Sequence, residues 1–356
     1  VSRASDAIAT AVAQAEAVLD LATPAGRRAA RNLARLLAEA DQLLADRLAV
    51  EVTHHGGPEA RFTGASIVSY QTQVRFTLRY VEARLAGLTH DSAMAAVASA
   101  ATHSVATLAR LEAAYMGVSA QAPRVRLAMM LDETQGMGAS LLRQHQTSVE
   151  RYGQAMLREF EKRIQLGFAA GLTQTQMVEM LTGHGGPTGE VSLRAKLENG
   201  QVVVTSSEDI PEGLFRRYRY WAERIVRTET ARAYNGANLE AYRQMRDDFP
   251  DLQKKILAHF DNRTALDSVY VHGQVRPLDG LFRDGAGREY QHPPARPNDR
   301  ETVIPWRDGV YPEEVDTRPL TPAEIQREDA RIKAGRGAKR PTTRRPARPT
   351  PARVRG

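Results

Sequence analysis

The sequence predicts a mostly α-helical chain of the α+β class, with long amino-terminal helices ahead of a smaller region of short strands. Three observations carry this. Apolar residues recur at helical spacing through most of the first half. The strongest hairpin dipeptide, Asn199-Gly200, comes only after those helices. From Asp251 onward the chain is rich in Gly, Pro, Asp and Arg. Helices followed by strands, rather than alternating with them, argue against βαβ units. A length of 356 residues is enough for a full core and suggests two or three structural units.

Each element has its own signal. Within Ser5–Ala22, Ile8, Val12, Ala15 and Leu19 follow the capping candidates Ser5 and Asp6. Thr23-Pro24 offers an N-cap followed by proline at the first helical position. The next helix carries Leu33, Leu37, Ala40, Leu44 and Leu48 on one stripe, and His54-His55-Gly56-Gly57-Pro58 breaks it. Val74, Leu78, Val81 and Leu85 form a third stripe, with Gly87 placed to end it. Val97, Ala101, Val105 and Leu108 form a fourth. A long amphipathic segment then presents Val149, Met156, Phe160, Ile164 and Phe168. Thr173-Gln174-Thr175-Gln176 reads as a capping box opening a short helix through Met180 and Leu181. In Leu193–Val204, Asn199-Gly200 separates two strand-like runs, and Pro211 begins a last long helix to about Arg246. No internal repeat has a fixed period. These boundaries divide the chain into an amino-terminal helical region (1–118), long linking helices (119–190), an α+β region (191–308), an acidic linker (309–330) and a basic tail (331–356).

The charge is unevenly distributed. The chain has 49 Lys+Arg and 42 Asp+Glu, a formal net charge of +7. Ten of the cations, and no acid, fall in 331–356: Arg331, Lys333, Arg336, Lys339, Arg340, Arg344, Arg345, Arg348, Arg353 and Arg355. The remainder therefore carries 39 cations against 42 acids, or −3. A segment of Arg, Pro, Gly and Thr cannot bury enough apolar surface to offset the entropy of ordering, so the tail reads as disordered. Such a polycation binds phosphate backbones without sequence preference, and double-stranded DNA is the partner it implies. The absence of Cys excludes disulfides, thiol catalysis and Cys-ligated metal centres. No apolar run reaches the roughly eighteen residues needed to span a bilayer, and Val1–Leu21 lacks the pattern of a leader, so no membrane partner is expected.

Motifs for familiar chemistry are missing. His54-His55 has no acidic or His partner at ligand spacing, and a loop explains it. His103 and His145 lie off the apolar stripes and read as solvated. Gly183–Gly189 has neither the lysine nor the preceding strand of a phosphate loop. There is no GxSxG, HExxH, kinase set or dinucleotide fingerprint, and no cofactor is expected. Nor is there a recognisable helix-turn-helix or aromatic stacking platform.

Two segments stand apart. The first, Trp221–Gly236, contains Arg227-Thr228-Glu229, Ala231 and Asn235, with Glu223 placed to pair with Arg227 at i,i+4. The second runs from Asp261-Asn262-Arg263-Thr264 through Gly273-Gln274-Val275 to Pro293–Pro305, which includes Asn298-Asp299-Arg300-Glu301. Together they resemble the phage Mu F-like family of minor head proteins. That family's pattern is RTE-x-A-x-x-x-N, then D-x-R-T, a Cys four residues after the Thr, a Gly-Gln-Val turn, and a Pro-Pro, His-Pro-Asn-Cys-Arg-Cys-Thr, Val/Ile-Pro close. Arg227, Thr228, Glu229, Asn235, Asp261, Arg263, Thr264 and Gly273 match in order and spacing, as do Asn298 and Arg300, over Gly171–Trp306. Where the family has Cys, this chain has Ser268, Asp299 and Glu301, and Arg296 stands for its His.

The resemblance implies a role in head morphogenesis of a tailed phage or prophage. The partners it implies are a portal protein and a scaffold or major capsid protein. The location it implies is the head interior, reached from the host cytoplasm during assembly. The alternative is an enzyme, since Mu F-like modules also occur fused to nuclease or toxin domains. Only about fifty residues follow Trp306, short and basic for a second folded domain. If relatives hold a metal on sulfur, Ser and carboxylates here would bind it far more weakly. An ionic clamp of Asp299 and Glu301 with Arg296, Arg300 or Arg263 is the structural alternative. A hard-metal or acid–base cluster of His272, His292, Asp299 and Glu301 remains a third. The clamp reading predicts that elemental analysis of mildly purified protein finds no stoichiometric zinc. A tight zinc site involving His272 or His292 would overturn it.

Overall fold

A computed structural model describes residues 24–116, 124–183, 192–198, 201–207, 213–260, 264–308 and 317–337, together with residues 10 and 13. Helix α1 (Pro24–His54) begins at the proline expected at a first helical position. Its Leu33, Leu37, Ala40, Leu44 and Leu48 are all buried. The chain turns through 55–63 into α2 (Gly64–Met116), and α3 (Arg124–Ala169) packs along it. Gly87 does not end a helix: α2 runs straight through it for 53 residues. A mid-helix glycine costs about 1 kcal/mol. Packing of Val81 and Leu85 on one side of it and Ala93, Ala96 and Val97 on the other outweighs that. The buried stripe of α3 ends at Ile164, and Phe168 is exposed. The segment Ser5–Ala22 lies outside the described residues apart from residue 10 and residue 13.

Helix α4 (Gln174–Thr182) has the expected capping box. Gln176 N donates to Thr173 Oγ1 at 3.3 Å, and Thr173 N donates to Gln176 Oε1 at 3.0 Å. An isolated bridge between Arg61 and Thr173 ties this turn to the one after α1. Strands β1 (Ser192–Glu198) and β2 (Gln201–Ser207) pair antiparallel with Glu198 opposite Gln201. That register leaves the two positions of Asn199-Gly200 as the connection, as a two-residue hairpin requires.

The last long helix is broken. α5 (Leu214–Arg217) is separated by Tyr218 from α6 (Arg219–Gln244), and Pro211 lies outside the described residues. Asp41 of α1 supplies the cap that Gly213 cannot. It accepts from Phe215 N at 3.2 Å, Arg216 N at 3.3 Å and Arg216 Nε at 3.1 Å. A Cβ on Gly213 would sit 2.1 Å from Asp41 Oδ1 and 2.2 Å from the Thr182 carbonyl, so only glycine fits. α6 then runs along α2 through a seam of small residues, Ala93, Ala96 and Ala100 against Ala231, Ala233 and Ala237.

At its far end α6 meets a three-stranded antiparallel sheet of order β4-β3-β7: β3 (Gln253–Leu257), β4 (Val275–Pro277) and β7 (Thr302–Trp306). Helix α7 (Leu266–Val271) and the small hairpin of β5 (Phe282–Arg283) and β6 (Glu289–Tyr290) complete this layer. Its core joins Leu108 of α2 to Leu239, Ile256, Val271, Phe282 and Val303. Helix α8 (Pro322–Gly337) packs on α7 and buries Ile332. The basic tail therefore does not begin at 331. Arg331, Lys333 and Arg336 belong to α8, where Arg331 pairs with Glu328 at 2.7 Å and Lys333 with Asp329 at 2.6 Å. Lys339, Arg340, Arg344, Arg345, Arg348, Arg353 and Arg355 lie outside the described residues. Among the described residues, no helix is long and apolar enough to cross a membrane.

Burial of Asp41 raises its pKa to about 7 despite the Arg216 contacts. An unfolded Asp titrates near 3.8, so between these values the folded chain holds a proton that the unfolded chain has released. Stability should therefore fall as pH rises from about 4 to about 7. Denaturant titrations across this range should show Asp41→Asn lacking that component, a difference approaching about 1.4 kcal/mol per pH unit.

Candidate functional site

The two sequence blocks meet along one side of α6. Asn235, fully buried, donates from Nδ2 to Ala231 O in its own helix at 3.0 Å and to Glu301 O at 3.2 Å. Its Oδ1 accepts from Val303 N at 3.0 Å. Two turns earlier, Thr228 Oγ1 accepts from Asn298 N at 3.1 Å and donates to Arg224 O at 2.7 Å. Arg227 Nη1 donates to Asn298 Oδ1 at 2.8 Å, and Asn298 Nδ2 donates to Tyr220 Oη at 2.9 Å. Asn298 has a left-handed backbone (φ 63°), which asparagine tolerates better than most residues. One face of α6 thus grips the backbone from Asn298 to Val303.

That grip places four sequence positions in one cleft. Ser268 comes from α7, and Arg296, Asp299 and Glu301 come from the loop before β7. These are the positions at which the resemblance puts Cys and His. Thr264, Asn298 and Arg300 line the same small cleft, which is open to solvent. Arg296 is the hub. It donates to Ser268 Oγ, reaches Asp267 Oδ2 at 3.2 Å and pairs with Asp299 Oδ1 at 3.6 Å. Asp299 Oδ2 also accepts from Ala295 N at 3.1 Å, and Tyr290 donates its hydroxyl to Glu301 Oε2 at 3.0 Å. The clamp pairing of Asp299 with Arg296 is present. Arg263 and Asp261 lie outside the described residues.

Burial pushes the carboxyl of Asp299 up, against the pull of Arg296. Burial also pushes Glu301 up, and the neighbouring Asp299 charge adds to it. The two carboxyls therefore resist ionising together. His272 and His292 do not join them. His272 Nδ1 accepts from Ala258 N at 3.1 Å, and His292 Nδ1 lies 2.8 Å from Pro293 O. Among the described residues, no three His, Asp or Glu side chains are placed to hold a metal ion. As a metal site, the four-residue cluster of His272, His292, Asp299 and Glu301 is thus not assembled among the described residues.

Other motif residues serve the frame. Glu229, buried, accepts from Ser148 Oγ at 2.7 Å and Arg232 Nη1 at 2.5 Å. Glu223 is engaged at 2.6 Å by Arg219, one turn before it, where Arg227, one turn after it, is expected. Thr264 Oγ1 donates to His259 O at 2.7 Å. Gly273 (φ 77°) turns the chain into β4, and a Cβ there would lie 2.3 Å from Pro319 N and 2.6 Å from Arg318 O. This glycine lets the strap before α8 cross directly over the turn.

Sequence reasoning misplaced the two helical histidines. His145 is fully buried, 3.9 Å from Glu229, and His103 is half-buried with Nδ1 3.4 Å from Tyr234 Oη. Their positions off the apolar stripe face a second neighbour, α6, that helical periodicity within one segment does not reveal. Lys254 and Lys255 were likewise missed. Both are fully buried on β3, with Lys254 Nζ donating to Gln291 O at 2.7 Å and Lys255 Nζ 3.6 Å from the Trp306 ring centroid.

Asn235→Ala would orphan the buried Val303 N–H and the Glu301 carbonyl. It should cost about 3 kcal/mol in a denaturant titration. Asn235→Asp keeps the acceptor and loses the donor, so it should also destabilise, increasingly as pH rises. Comparison of the chain with protein-family models, with curated proteins and with solved structures finds no match in any of the three.

Proposed function

We propose that this chain is a minor head protein of a tailed phage or prophage, acting with a portal protein during head assembly. The observation that carries the reading is the meeting of Ser268, Arg296, Asp299 and Glu301 in one cleft. These positions are up to 33 residues apart in sequence and were singled out only by the resemblance. The helix and loop blocks that flank them are joined through Asn235, Thr228 and Asn298, which supports treating the two blocks as one motif. In this reading the Arg296–Asp299 contact and the buried Glu301 take over the structural role of sulfur. The motif presents a rigid surface, and the basic carboxy-terminal segment contacts packaged double-stranded DNA in the head interior.

The test is co-expression with the portal and capsid proteins of the same genome. The chain should co-purify with portal and sediment with proheads; its absence from both would overturn the assignment. The coupled carboxylates favour one second reading, a nuclease- or toxin-type enzyme. Cleavage of DNA or RNA by purified protein, lost in Glu301→Gln, would establish it.

The boundary of α8 moves the truncation that tests DNA contact. Removing residues 338–356 takes away seven cations and leaves Ile332 packed. Duplex binding should fall sharply while helical content and melting stay unchanged. For the intact chain, log affinity should fall with log salt by roughly 0.9 per phosphate neutralised. Equal binding with and without the segment would place the duplex contact on the folded part.

A further inference from the structure

The start of α6 carries a cationic, aromatic run that meets the motif only through Tyr220 and Arg227. Gly213–Arg227 holds five arginines, Arg216, Arg217, Arg219, Arg224 and Arg227, against one acid, Glu223. Tyr220 and Trp221 sit within it. On a helix, Arg224 lies one turn beyond both rings, at i+4 from Tyr220 and i+3 from Trp221, and so between them. Both rings are open to solvent, Tyr220 at 56% and Trp221 at 39% exposure. Both are also braced. Asn298 Nδ2 holds the Tyr220 hydroxyl at 2.9 Å, and Tyr218 meets Trp221 edge-on with centroids 5.3 Å apart. Arg219 is matched by Glu223 and Arg216 by Asp41. Arg224 is exposed, and its side chain has no carboxylate partner among the described residues.

We infer that this face is a stacking platform for single-stranded nucleic acid, with bases on Tyr220 and Trp221 and Arg224 on the intervening phosphate. Exposed aromatic faces interleaved with cations fit this ligand class, because every base offers a π-face and every linkage a negative charge. Braced rings lose little freedom on binding. A duplex keeps its base faces stacked inside and would engage only the arginine. The sequence reading found no such platform, since exposure of adjacent aromatics in a helix is decided by what packs against it. The inference stands apart from the head-protein reading and from the basic tail.

The chain has two tryptophans, and Trp306 is buried beneath Lys255, so fluorescence separates this face from the tail. The full-length chain is titrated with oligothymidylate, with a duplex and with poly-glutamate, following both ligand anisotropy and tryptophan emission. Oligothymidylate should quench emission in the wild type and leave Trp221→Phe unchanged. Tyr220→Ala and Arg224→Ala, both surface changes that helical circular dichroism can check, should weaken the quenching isotherm by about fivefold or more. The duplex should bind by anisotropy without quenching. Binding of oligothymidylate without quenching would overturn the platform, as would equal quenching in Trp221→Phe. Equal quenching by poly-glutamate would overturn it in favour of an acidic protein segment.

Discussion

The buried amide of Asn235 is the contact on which the rest of the site depends. Its side chain bonds its own helix and both sides of the turn into β7. A buried amide must have its donors and acceptor matched, so this arrangement tolerates no slip. Sliding β7 by one residue would point Glu301 and Val303 away from α6 and reverse every side chain of the strand. The register of β7 on β3, with Ile304 opposite Lys255 and Trp306 opposite Gln253, follows from that anchor. So does the position of Asp299, two residues upstream of the Glu301 carbonyl.

With the loop placed, electrostatics determine its chemical character. Arg296 reaches Asp267, Ser268 and Asp299 at once, and Asp267 also takes Arg288 at 2.8 Å. Burial makes a second full negative charge beside Asp299 unfavourable, so Glu301 holds its proton more tightly and leans on Tyr290. Elsewhere the fold makes the same compromise. Lys254 is pulled down to about 8 by burial and by Arg243, and it spends a hydrogen bond on the Gln291 carbonyl. Asp41 is raised by burial yet caps α5. Lys254 and Asp41 are each weakened as charges by burial and used to tie two segments together.

The helical part supplies the rigidity behind this. α2 is long enough to reach both cores, contributing Val74, Leu78, Val81 and Leu85 to one and Leu108 to the other. Between them the alanine seam lets α6 approach α2 closely, which carries Asn235 to the sheet end and Tyr220 to the solvent end. One helix thus grips the β7 loop along its length and leaves Tyr220 and Trp221 open to solvent near its start.

What the sequence determined by itself was local. The stripe on α1, the capping box at Thr173 and the Asn199-Gly200 connection follow from side-chain period and turn chemistry, which act within a few residues. It also marked Arg227, Thr228, Asn235, Asn298, Asp299 and Glu301, though only by pattern. Tertiary structure decided everything that needs a second neighbour. It ran α2 through Gly87, broke the last helix at Tyr218, buried His145 and both Lys254 and Lys255, and folded Arg331–Gly337 into α8. It also turned Arg227 toward an amide and set Arg219 on Glu223. A residue's period reports the face it shares with its own element. Which partner covers that face, and whether a charge there is matched, depends on segments outside the element itself, often tens of residues away in sequence.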